Sequence, residues 1–81
     1  MSAERIRILE ERNGELAKEI LLNETAIYET EKELAGIDDD LLSHPRMQRY
    51  IAELKSLITQ ILSKSEVYKR EIYENELELL N

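Results

Sequence analysis

An 81-residue chain with a formal net charge of −7, no cysteine and a single histidine has neither disulfides nor a thiolate metal centre, and one histidine cannot build a zinc site alone. So short a chain is marginally stable unless its fold is idealised or completed by a partner. With two glycines, one proline, four tyrosines and no tryptophan or phenylalanine, it lacks the turns of a sheet and the large side chains of a globular core, and its Leu, Ile, Glu, Lys, Arg and Ala content is that of long amphipathic helices.

The opening stretch MSAERIR lacks the apolar core of a signal peptide, and no later run approaches membrane-span length. A soluble, cytoplasmic protein without membrane contact is the expectation. From there the first half reads in sevens. Its a positions are Ile6, Asn13, Ile20, Ile27 and Leu34, and its d positions Leu9, Leu16, Asn23, Thr30 and Ile37. Seven of these ten are Ile or Leu, with Glu10, Arg12, Glu19, Glu24, Glu31 and Glu33 on the shoulders. A 3.5-residue apolar period with charged flanks is the pattern of a coiled coil. Asn13-Gly14 is a turn dipeptide elsewhere, but the heptads run through it and a continuous helix over about 3–35 is expected.

The stretch GIDDDLLSHP, residues 36–45, interrupts the pattern. Gly36 suits a left-handed position just past a helix, and Pro45 suits the first turn of the next one. Ser43 or His44 can cap that second helix, and Asp38, Asp39 and Asp40 sit where its macrodipole favours negative charge. Leu41 and Leu42 are expected to turn inward and plug the end. A calcium loop needs alternating oxygen ligands and a distant bidentate glutamate, which three adjacent aspartates do not supply. A bend over 36–44, without metal or cofactor, is therefore expected.

The second half, about 45–79, has Ile51, Ile58, Ser65, Ile72 and Leu79 at a and Met47, Leu54, Ile61, Tyr68 and Asn75 at d. Seven of these ten are Ile, Leu or Met. Ser63-Lys64-Ser65-Glu66 has the form of a capping box, but with no Gly or Pro nearby one continuous helix is expected. When a positions of one half face d positions of the other, 34 meets 47, 27 meets 54, 20 meets 61 and 13 meets 68. This alignment centres the bend between Asp40 and Leu41, and it puts Asn13 opposite Tyr68 beside Ser65 in a polar layer. The expected fold is all-α: an antiparallel two-helix hairpin, coiled-coil-like, forming one domain over 1–81.

Residues 42–58, LSHPRMQRYIAELKSLI, loosely resemble the second helix of a family of small aspartyl-phosphate phosphatases that are themselves helical hairpins. Pro45, Glu53, Leu54, Leu57 and Ile58 fall where that family has like residues. The family's Ser-Gln-Glu-Leu-Asp signature reads Ile51-Ala52-Glu53-Leu54-Lys55 here, with lysine in place of the aspartate, so phosphatase activity is not implied.

A two-stranded hairpin uses one seam per helix, and this chain has apolar residues to spare. Ile8, Leu21, Leu22 and Tyr28 lie off the first seam; Tyr50, Leu57, Leu62, Val67, Tyr73 and Leu77 lie off the second. Wide stripes of this kind mean more than one neighbour per helix. These ten residues are the candidate partner or dimer interface, with a second copy completing a four-helix bundle or another helical protein covering them. The expected function is a non-enzymatic, self-associating interaction module acting as adaptor, scaffold or assembly subunit. The alternative is an acidic inhibitor or chaperone-like protein that masks a partner's surface. Acids and bases are interleaved along both halves rather than gathered in a basic patch, so nucleic acid is not an expected partner. No small-molecule substrate is expected either.

Overall fold

A computed structural model describes all 81 residues. Helix α1 spans Ala3–Ala35, a short 3-10 turn spans Asp39–Leu41, and helix α2 spans Pro45–Leu80. The two helices pack against each other along their length and there is no strand. The result is a rod of 61 × 14 × 14 Å.

Each helix begins where its cap directs. The Ser2 hydroxyl accepts from the Arg5 N–H at 3.1 Å, satisfying one of the donors a helix start leaves unpaired. At α2 the cap is His44, whose Nδ1 accepts from the Arg46 N–H at 3.2 Å, with Pro45 in the first turn. Neither Asn13-Gly14 nor Ser63–Glu66 interrupts its helix.

The bend differs from expectation in two respects. Gly36 keeps a right-handed conformation (φ −86°, ψ 0°), and its N–H closes on the Lys32 and Glu33 carbonyls. The chain leaves the helix at Asp38, which is extended, so no left-handed residue is needed. Leu41 and Leu42 are each 43% exposed instead of plugging the end. Ile37 and Met47, which carry the heptads into the bend, are the half-buried residues there.

The seam follows the heptads. Of the twenty a and d positions only Ile6 is exposed, at 36%, and none carries a charge. Leu9, Leu16, Thr30 and Ser65 are the four buried residues, all of them on the seam. The buried Thr30 hydroxyl is satisfied within its own helix, donating to the Ala26 carbonyl at 2.7 Å.

Polar partners across the seam reveal the stagger of the helices. Asn23 Nδ2 donates to Ser65 Oγ at 3.0 Å, and Asn75 Nδ2 donates to Asn13 Oδ1 at 2.9 Å. Asn13 Nδ2 donates in turn to Glu76 Oε1 at 2.9 Å. Asn13 thus bonds one heptad beyond Tyr68, and Asn23 one heptad beyond the Ile58 that the level alignment places opposite it. A seven-residue repeat satisfies the a-to-d rule at either of two alignments one heptad apart. Side chains of a helix also slant toward its N-terminus, so in an antiparallel pair they reach toward each other across a stagger. A full heptad rises about 10 Å, too far for asparagine and serine to span. The helices therefore sit between the two alignments, and the seam side chains interleave.

Candidate interaction surface

On a heptad wheel the order around each helix is c, g, d, a, e, b, f. In an antiparallel pair the two g positions share one flank of the seam and the two e positions share the other. Cross-helix contacts identify the g flank directly. Arg12 Nε donates to Glu71 Oε2 at 2.7 Å and its Nη2 to Oε1 at 3.2 Å, a two-pronged pair. Arg5 grips Glu78 in the same way at 3.2 and 3.1 Å. The Tyr50 hydroxyl donates to the Glu33 carboxylate. All six of these residues occupy g.

These contacts shift the titration of the groups that make them. The hydrogen bond from Arg12, followed by its charge, holds the Glu71 carboxyl below the ordinary carboxylate value, and the same bond raises the Arg12 guanidinium. The bond to Glu33 raises the Tyr50 phenol above its usual value of 10.0, because the proton is held by the carboxylate.

All ten candidate interface residues are exposed, from 38% at Tyr50 to 65% at Val67. The fold does not gather them on one face. Ile8, Leu22, Tyr50, Leu57 and Val67 fall on the g and c flank. Leu21, Tyr28, Leu62 and Tyr73 fall on the e and b flank, and Leu77 at f points away from the seam. Tyr50 is also part of the bridge to α1. The Arg–Glu pairs that close the g flank are legible in the sequence as opposite charges at g of the two helices, once the helices are known to be antiparallel.

No group of three or more His, Asp or Glu side chains comes together as a metal site would require, and His44 is engaged by the Arg46 N–H, with no hydrogen bond to Asp40. The surface hollows are shallow: one of about 380 Å³ lies over Glu66, Val67, Lys69, Arg70 and Tyr73 on α2. No helix is long and apolar enough to cross a membrane. Comparison with protein-family models, curated proteins and solved structures found no match.

Proposed function

We propose that this protein is a non-enzymatic interaction module: a self-associating helical hairpin that completes a four-helix bundle with a second copy and serves as an adaptor, scaffold or assembly subunit. The observation that carries this reading is the surface the hairpin leaves uncovered. The chain exposes 6357 Å², whereas a compact monomer of 9.5 kDa would expose about 5,000 Å². Fifteen large hydrophobic residues are exposed, against two leucines that are buried. A second copy laid along the rod would cover part of that surface and thicken a core that is now one seam wide.

Sedimentation equilibrium across a concentration series tests the proposal, with helix content followed in parallel by circular dichroism. A fully helical dimer is the expected result. A fully helical monomer at every concentration would defeat it. A partly unfolded monomer that gains helix only on adding another protein would favour the acidic, surface-masking alternative.

A further inference from the structure

We propose that the second copy docks on the e and b flank of the hairpin with its bend at the same end, so that α1 of each copy lies against α2 of the other. This rests on the self-association reading above and assigns the face and direction of the contact.

The two flanks are not equivalent. On the g flank, Ala26, Glu71 and Glu78 are the only residues off the seam that are withdrawn from solvent, and two Arg–Glu pairs and the Tyr50–Glu33 bond bridge the helices. On the other flank every e residue of both helices is exposed. The one bridge there is the Asn13–Glu76 hydrogen bond. Burial of the α1 side of the seam follows the same asymmetry, although Ser65, the one buried residue of α2, is an a position beside the e flank. In α1 the buried positions, Leu9, Leu16 and Thr30, are all d, next to the g flank, whereas the a positions bordering the e flank stay partly exposed. On α1 the e side is where the core remains open.

Charge selects the occupant and its direction. Over the two helices the g and c positions hold eight acids and four bases, a net −4, while e and b hold five acids and three bases, a net −2. Self-contact is thus less repulsive on the e and b flank. There α1 carries the acids Glu10, Glu24 and Glu31 with the base Arg7, and α2 carries the bases Lys55 and Lys69 with the acids Glu66 and Glu76. Glu24, Glu31 and Lys55 form no ion pair within the hairpin. Stacking with bends together brings Glu31 of each copy to Lys55 of the other, twice by symmetry. Stacking with bends at opposite ends would put α1 antiparallel on α1, bringing Glu10 of each copy near Glu31 of the other.

Gly14 is a second, independent indication. Glycine weakens a helix relative to alanine, yet a Cβ at Gly14 would meet nothing within 4 Å, so the hairpin itself has no need of it. Gly14 lies at b with Ala17 close by at e. Because Arg12 reaches Glu71, Gly14 and Tyr73 lie within about one turn of each other along the axis. In the stack, the 64% exposed ring of Tyr73 meets the bare backbone at Gly14 of the second copy. A face of 61 by 14 Å offers about 800 Å² per copy, the size of a standard stable interface.

The test mixes two variants. Glu31→Lys and Lys55→Glu each place like charges at both contacts of a homodimer, and each alone should associate at least tenfold more weakly than the native chain. Mixed, they restore opposite charges between copies but not within one, and sedimentation should show association recovered. Leu57→Glu, on the g flank, should leave the dimer intact while Leu62→Glu dissociates it, with circular dichroism confirming that both stay helical. Because the chain has no cysteine, a spin label on Asp39→Cys reports the separation of the two bends. Same-end stacking predicts about 30 Å or less, a few helix widths. A separation near the 61 Å rod length, no recovery on mixing, or dissociation by Leu57→Glu alone would overturn the face and direction while leaving self-association standing. A native chain that is monomeric throughout would instead remove the reading beneath it.

Discussion

The half of the rod near the chain termini and the half near the bend are stabilised differently. The terminal half holds both buried leucines, Leu9 and Leu16, and also most of the polar seam, with Asn13 bonded to Asn75 and Glu76 and Asn23 bonded to Ser65. Its flank is closed by Arg5–Glu78 and Arg12–Glu71. Toward the bend the cross-helix seam is apolar, from Ile27, Leu34 and Ile37 to Met47, Ile51, Leu54 and Ile58, and all seven are only half-buried. Thr30 is buried there but bonds within its own helix. The difference follows from where register must be set. The bend tethers one end covalently and opposes a slip of the helices there. At the far end only side chains can oppose that slip, and directional amide and hydroxyl bonds do so where apolar contacts would accept either alignment.

The largest expected effect is in the terminal core. Leu16→Ala should destabilise the fold by about 2–5 kcal/mol in urea unfolding, whereas Leu54→Ala, starting from a half-buried site, should cost clearly less. Equal losses at the two sites would erase the distinction between the halves. Next comes Ser65→Ala, which leaves the half-buried Asn23 amide without its partner and should cost about 1–3 kcal/mol. Replacing both partners, Asn23→Leu with Ser65→Ala, should recover much of that stability but loosen the register, seen as a broadened spin-label distance between positions 20 and 61.

At the bend, Gly36→Ala should stabilise by about 0.4–1 kcal/mol, since Gly36 has a right-handed φ and an added Cβ would make ordinary contacts at 3.5 and 3.6 Å. A loss of stability there would reinstate the left-handed reading. The smallest effect is that of acid. The Glu71 carboxyl is held below its ordinary value of 4.5, so the Arg12–Glu71 pair contributes fully above that pH. The contribution is lost as pH falls through the lowered value. On acidification, amide protection factors, which are corrected for the slower intrinsic exchange in acid, should therefore fall first around Arg12 and Glu71, not at the bend. The reverse order would place the electrostatic closure elsewhere.

Most of the fold was legible because a charge-free heptad seam leaves little choice. Ile20, Ile27, Ile58 and Ile61 at a and d identify the helices and their contact face, and Pro45 with His44 marks where the second begins. Stagger was not legible, because a repeat of seven is blind to a shift of seven. Only the meeting of Asn23 with Ser65 and Asn13 with Asn75 decides it. Leu41 and Leu42 misled because apolar character alone cannot tell an inward side chain from one that a 3-10 turn directs outward. For the interaction surface, composition revealed the surplus apolar residues but not their division between two flanks. The heptad positions carry that division, b and e against c and g, and the opposite charges at g that close one flank become legible once the helices are antiparallel.

If a second copy covers the outer faces, folding and association are one equilibrium. The urea midpoint of the native chain, measured at several protein concentrations, reads that linkage directly. The midpoint should rise with concentration, by about half a molar or more for each tenfold increase. A fully helical protein whose midpoint does not move with concentration would contradict that linkage.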